Sequence, residues 1–234
     1  MSAKTETTTD LPPSKSISPA ILYWGTPVVL ITTENEDGSF NIAPNSSAWW
    51  LGDRCMLGLA GASQTTVNLL RTKQCVLNLA SDSMAKAINA LAKTTGTAGL
   101  SSASEEETLL FFKRTNGYKH VHDKFGHASL SPTESERVRP ARVAECPVQM
   151  EAELIGVHEM MQDAPGAGLF FALELKVLQT HIHASIQMEG HANRIDPDKW
   201  RPMIMSFQEL YGLSRNKASV STLAEIEEEV YRFG

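Results

Sequence analysis

The chain has 234 residues, 42% hydrophobic and 21% charged, which is enough to build one large domain or two small ones and excludes a wholly disordered acidic chain. Lys plus Arg number 21 against 27 Asp plus Glu, a net charge of -6, so nucleic acid is not an expected partner, because gripping phosphates needs clustered positive charge. The local exception is Arg137, Arg139 and Arg142, but Glu134, Glu136 and Glu145 flank them and make a charge-balanced loop.

Residues 1–18 are polar and rich in Thr, Ser and Pro, and read as a disordered tail with nothing to bury. They contain no apolar signal region, and no run in the chain is long enough to cross a bilayer; a cytoplasmic protein with no membrane partner is expected. After Pro27, Val28–Thr33 is β-branched and apolar enough for a buried strand, and Asp37-Gly38 marks a hairpin to Phe40–Ile42. Ser46–Leu51 and Cys55–Ala60 are further strand candidates, with Cys55, Leu57 and Leu59 on one face. Thr65–Lys73 reads as a short helix, Cys75–Leu79 as a strand, and Ser83–Lys93 as a helix with Met84, Ile88 and Leu91 along one side.

Residues 94–107 are low in complexity and read as a mobile loop; Thr108–Arg114 reads as a short helix, and Thr115–Val143 as mostly irregular. Val148, Met150, Ala152 and Leu154 then alternate with polar residues, and Phe171, Leu173, Leu175 and Val177 do the same beyond a turn at Asp163–Gly168. These make a long antiparallel hairpin. Ser221–Phe233 reads as an exposed acidic helix. The order predicts a mainly β protein with a few short helices, an antiparallel barrel or sandwich, with one domain over 19–212 and a helical extension over 213–234.

Cys55, Cys75 and Cys146 are odd in number and show no CxxC spacing, so neither a disulfide framework nor a zinc ribbon is indicated. No G-x-G-x-x-G follows a strand, and the P-loop, G-x-S-x-G and H-E-x-x-H patterns are absent. Two stretches carry information instead. Gly61 to Asn68 places Ser63, Thr65 and Thr66 at a helix start, where unpartnered amides and the macrodipole favour an anion, although a helix cap alone would use the same residues. Asn41 to Trp50 interrupts a strand at Pro44-Asn45-Ser46-Ser47, and unpaired amides beside an indole suit a flat heteroaromatic ligand. Trp49 and Trp50 also fit a strand that buries one indole and offers the other to a subunit interface.

From Thr26 to Ser81 the sequence resembles the flavin reductase-like domain family, which includes flavoredoxins and the reductase components of two-component monooxygenases. The matching pattern is Asp37-Gly38, Asn41-Ile42-Ala43-Pro44-Asn45-Ser46, Thr65-Thr66-Val67-Asn68 and Asn78, followed later by Asp123-Lys124-Phe125 and Ala128-Ser129-Leu130-Ser131. Ser129 stands where the family has Gly, and the 94–120 insert is longer than usual. The resemblance implies an FMN-binding split β-barrel acting as an NAD(P)H-dependent flavin reductase, paired as a homodimer, with a monooxygenase as a candidate partner. It places Asn41, Ser46, Ser47 and Ala48 along the isoalloxazine edge, Gly61, Ser63, Thr65 and Thr66 at the ribityl phosphate, and Lys124 as a positive charge for it.

His181 and His183 are two apart on a strand, and parity puts them on the face of Leu173, Leu175 and Val177 at a pocket rim, with His183 able to touch a substrate. The same pair is half of a metal site if Glu189 and His191 join it, but no spacing completes a ligand set. Three functions therefore compete: a flavin reductase, a flavin-binding electron carrier without nicotinamide turnover, and a metal-binding β-barrel enzyme. No catalytic acid or base is required of the protein in the first, since the flavin performs the chemistry.

Overall fold

The structure is a computed structural model and describes residues 12–105 and 108–231, so the tail expectation falls largely outside it; residues 12–18 are exposed and irregular. After β1 (Trp24–Pro27), β2 (Val29–Glu34) and β3 (Phe40–Asn45) form the Asp37-Gly38 hairpin. The Asp37 carboxylate accepts from both the amide and the hydroxyl of Ser39, and Gly38 takes φ +80°, which an L side chain would resist. Then come β4 (Ala48–Leu51), β5 (Arg54–Ala60), α1 (Gln64–Thr72), β6 (Gln74–Leu79) and α2 (Ala85–Ala92).

Among its described residues the insert has its own small sheet, in which β7 (Thr94–Thr95) pairs in parallel with β8 (Lys119–His120), and it carries α3 (Thr108–Thr115). Leu100 and Ala103 are buried, which gives this stretch an anchor that its low complexity hides. The stretch read as irregular contains α4 (Lys124–His127) and the paired two-residue strands β9 (Pro132–Thr133) and β10 (Arg142–Val143). The long hairpin is β11 (Val148–Glu159) with β12 (Phe170–Ile182), and β13 (Met203–Ser206) and β14 (Glu209–Gly212) close the order.

Seven strands form one antiparallel sheet in the order β3-β2-β6-β11-β12-β5-β4. Its two edge strands, β3 and β4, are consecutive in the chain and separated only by Ser46-Ser47, so the sheet has to curl until its edges meet. Pro44 is tolerated in β3 because β3 is an edge. The Asn45 side-chain nitrogen donates to the Gly58 carbonyl at 3.0 Å, and the Gly58 backbone amide donates to the Ser47 carbonyl at 2.8 Å, which fastens the seam to β5.

Inside the curl, Val29, Ile31, Leu57, Leu77, Leu173 and Leu175 are fully buried. On the outside, Leu30, Ile42, Ile88, Leu91 and Phe125 form a second cluster under α2 and α4. β2 feeds both clusters, which explains its unbroken apolar run. Each such burial contributes about 1.5–3 kcal/mol.

The polar residues of β11 do not face water as alternation suggests. Gln149 and Glu151 are buried because residues 131–146 lie over them. The Gln149 side-chain nitrogen donates to the carbonyls of Val143 and Cys146, the Val143 amide donates to the Asn78 side-chain oxygen, and the Thr32 hydroxyl donates to the Ala141 carbonyl. Glu151 accepts from the amides of Glu136, Arg137 and Val138. An irregular segment is thus held by a buried row of strand side chains that satisfy its backbone.

The C-terminal segment differs from expectation. It forms 3₁₀ turns at Thr222–Glu225 and Glu228–Tyr231 instead of an acidic α-helix. Glu225, Glu227, Glu228 and Glu229 crowd like charge into about one turn, which opposes an α-helix. Arg194 tethers the segment through Glu227 and Glu228, at 3.3 and 2.8 Å. Among the described residues no helix is long and apolar enough to cross a membrane.

Candidate functional site

Three separate segments converge on residues 41–42 of β3. Asn41 is 1% exposed, and its side-chain nitrogen donates to the Thr65 hydroxyl at 3.1 Å. Behind it, the Asn68 nitrogen donates to the Thr33 hydroxyl and the Asn35 side-chain oxygen, so β2, β3 and α1 share one buried polar cluster. The side-chain oxygen of Asn41 is buried and has no partner. Over it lies Gly96, where a Cβ would stand 2.7 Å from that oxygen and 3.0 Å from the Gln64 Cγ, so only glycine allows the insert to lie this close. From the other side, the Lys124 ammonium donates to the Ile42 carbonyl at 3.1 Å.

The helix start is built as the sequence suggests. Ser63 caps α1, its hydroxyl oxygen accepting from the Thr66 amide at 3.1 Å. Thr66 is fully buried and donates its hydroxyl to the Ala60 carbonyl at 2.8 Å, tying the helix to the end of β5. Thr65, 3% exposed, accepts from Asn41 and keeps its hydroxyl hydrogen for another acceptor. Gly61 donates its amide to Leu169, and a Cβ there would meet the Phe171 ring at 2.9 Å, so the loop needs glycine to pass the β11–β12 hairpin. The first-turn amides of α1 beyond the one capped by Ser63 remain available to an anion.

The seam differs from expectation at Ser47, whose amide is not unpaired but donates to the Asn45 side-chain oxygen at 2.5 Å. Ser46, in the gap between β3 and β4, borders with Pro44 a hollow of about 240 Å³ between β3, α2 and the β13–β14 hairpin. Ala48 begins β4 and is buried, Trp49 is 57% exposed, and Trp50 packs on the inner cluster, so the two indoles straddle the strand.

Lys124 is 2% exposed, and burial, with the neighbouring positive charge of Lys113 added, pushes its ammonium down to about 8. Among the described residues it has no carboxylate partner. Asp123 before it caps α4 by accepting from the Gly126 amide at 2.9 Å, which accounts for the Asp-Lys-Phe order.

The histidines are not where parity puts them. Val177 pairs with Ala152 but Gln179 with Glu151, so Leu178 is a β-bulge and every later side chain changes face. His181 therefore points away from Leu173 and Leu175, and its Nε2 lies 2.6 Å from the buried Glu151 carboxylate. His183 follows the end of β12, and its Nε2 meets the Ala144 carbonyl at 2.9 Å. Both hold the 131–146 segment. Glu189 and His191 lie on an exposed turn, and among the described residues no three His, Cys, Asp or Glu side chains gather as a metal site requires, so the metal alternative loses its support.

The profile of the flavin reductase like domain matches residues 23–194. The chain belongs to the flavin reductase-like family. It is 35% identical over 201 residues to the uncharacterized protein YdfE of Bacillus subtilis (strain 168), covering 86% of this chain and 90% of that one. Among solved structures it superposes on a flavoredoxin of Desulfovibrio vulgaris (Miyazaki F) with TM-score 0.69 at 18% identity, covering 91% of this chain and all of that one. Nitrilotriacetate monooxygenase component B from Bacillus cereus gives TM-score 0.64 at 18% identity, with 89% and 100% coverage. The mainly β split-barrel fold is that of this family.

Ser129, where the family resemblance expects glycine, carries φ +54°, a left-handed conformation that strains a serine. The chemistry of the donor set suits a flavin. A helix start, a buried ammonium with no carboxylate partner among the described residues and the free Thr65 hydroxyl hydrogen suit a phosphate, and the orphaned Asn41 oxygen suits a hydroxyl donor such as a ribityl chain carries.

Proposed function

We propose that the protein is an NAD(P)H-dependent FMN oxidoreductase that reduces flavin and can serve a monooxygenase partner. The observation that carries this reading is the convergence of Thr65, Gly96 and Lys124 on Asn41 and Ile42 of one edge strand. Similarity to proteins described as a flavoredoxin, a monooxygenase component B and an NADH:FAD oxidoreductase supports it. In this reading Gly61, Ser63, Thr65 and Thr66 shape the phosphate end, Lys124 supplies charge, and Asn41, Ser46, Ser47 and Ala48 line the ring edge. Bound flavin supplies hydride acceptance and onward electron transfer.

The chain's own part is to bind and orient. Its groups are held by packing and hydrogen bonds before any ligand arrives, so little ordering remains to be done on binding. The chain has no dinucleotide motif, so a nicotinamide donor reaches the ring from the open side of the site. Exposed Trp24, Trp49 and Leu51, at 66%, 57% and 74%, give a homodimer an apolar surface to cover. The deciding experiment is the visible spectrum of FMN-loaded protein before and after anaerobic NADH or NADPH. Bleaching by either is expected. Failure of both leaves the electron-carrier reading in its place.

A further inference from the structure

The neck of the insert holds a hollow of about 280 Å³ that the flavin reading does not use, and its lining includes Lys93, Thr94, Lys119, Val121 and His127 but no carboxylate. The parallel pairing of β7 with β8 builds it. Lys119 donates its backbone amide to the Lys93 carbonyl at 3.0 Å and stands opposite Thr94. Val121, whose amide donates to the Thr95 carbonyl at 3.0 Å, leaves the same face two residues on. The His127 ring is fixed by its Nε2, which donates to the Ala90 carbonyl at 3.2 Å. Two lysines thus line one opening without a counter-charge. Among the described residues neither has a carboxylate partner, in a chain where acids outnumber Lys and Arg 27 to 21, whereas Arg54, Arg139, Arg194, Lys199 and Lys217 each have one. Lys93 has a structural use at the C-terminal end of α2, where a cation suits the helix dipole; Lys119, exposed on β8, has no such use.

Two walls of the hollow run into the site described above. Thr94 is two residues from Gly96, which lies against Asn41 and Gln64, a step of about 7 Å along an extended chain. His127 is three residues from Lys124 on α4, whose ammonium meets the Ile42 carbonyl. No residue of the α1 start lines the hollow, so an anion held here is not the flavin's own phosphate, which that helix start receives in the proposed reading. It belongs to the other substrate.

We propose that this hollow takes the 2′-phosphate of the nicotinamide donor, with Lys93 and Lys119 as its cations, and that it makes the protein prefer NADPH to NADH. The proposal rests on the NAD(P)H-dependent reading of the site. The 2′-phosphate is a monoester with close to two negative charges at neutral pH, which two ammonium groups match, while NADH has a neutral hydroxyl in its place.

The test uses FMN-loaded protein, with kcat/KM for NADPH and NADH and calorimetric affinities for NADP+ and NAD+ measured on wild type, Lys119→Met, Lys119→Arg and Lys86→Met. Lys119 and Lys86 are exposed, so the variants are expected to melt like wild type, and a thermal melt checks this. Wild type should prefer NADPH by at least tenfold and bind NADP+ more tightly than NAD+. Lys119→Met should lose about tenfold for NADPH and NADP+ with NADH and NAD+ unchanged, and Lys119→Arg should recover most of the loss. Lys86→Met removes the same charge from α2 outside the hollow and should keep the wild-type preference. Equal wild-type use of the two donors, an unchanged preference in Lys119→Met, an equal loss for both donors, or the same loss in Lys86→Met overturns the proposal while leaving the reductase reading intact. Oxidation of neither donor overturns both.

Discussion

Thr65 and Thr66 are adjacent, nearly equally buried and chemically identical, yet their hydroxyls have different work. Thr66 donates to Ala60 and joins helix to strand, while Thr65 keeps its hydrogen. Thr66→Val should therefore cost about 1 kcal/mol of stability, seen in a urea melt, because it leaves the Ala60 carbonyl short of a donor. Thr65→Val should melt close to wild type and weaken FMN by about tenfold, since a hydrogen bond to a charged oxygen contributes about 1.5–3 kcal/mol. Equal FMN affinity in Thr65→Val would leave only the helix-capping role for this end. At Ser129 the expectation is the opposite sign. Replacing it with glycine removes the penalty of a left-handed serine and should raise stability by about 0.5–1 kcal/mol, measured in the same melts.

At the scale of elements, the 131–146 segment depends on one carboxylate. Burial alone would raise the proton affinity of Glu151, but the three amides and His181 outweigh it and hold the group below the usual carboxylate range. A depressed carboxyl contributes stability that is fully present above its unfolded value and is lost as pH falls through the lower folded value. Glu151→Gln should therefore lower stability at neutral pH and flatten its fall on acidification, both read from urea midpoints at several pH values. An unchanged acid profile would show that the carboxylate is not what holds the segment. His183→Ala, which loses only the Ala144 contact, should cost about 1 kcal/mol and leave turnover nearly intact.

Over the whole molecule, the parts legible in the sequence are those fixed by local rules. Asp37-Gly38, the alternation in β11 and β12, and the capped start of α1 all declare themselves within a few residues. What stays hidden depends on non-local partners. The Leu178 bulge flips the histidines without any local sign of it. Gln149 and Glu151 look solvent-facing until a distant segment lies over them. At the site, Thr65 and Ser63 are legible from helix-start chemistry, whereas Lys124 is legible only by family resemblance, because nothing nearby in the sequence shows that α4 meets the carbonyl of Ile42. The outward face of β4 belongs to this scale too. Light scattering at micromolar concentration should give twice the 25.6 kDa chain mass, and Trp49→Arg should shift it toward the monomer.

Cys55, Cys75 and Cys146 all lie in the packed interior, and burial pushes the Cys55 thiol up to about 12 and the other two higher still. Thiolate is the reactive form, so the folded protein offers a maleimide or peroxide almost nothing to attack. These residues are therefore built-in reporters of opening. The rate at which each becomes alkylated measures how often its neighbourhood comes apart, with Cys146 reporting on the stapled segment and Cys55 and Cys75 on the inner sheet. If acid weakens the Glu151 contacts first, Cys146 should be labelled ahead of the other two.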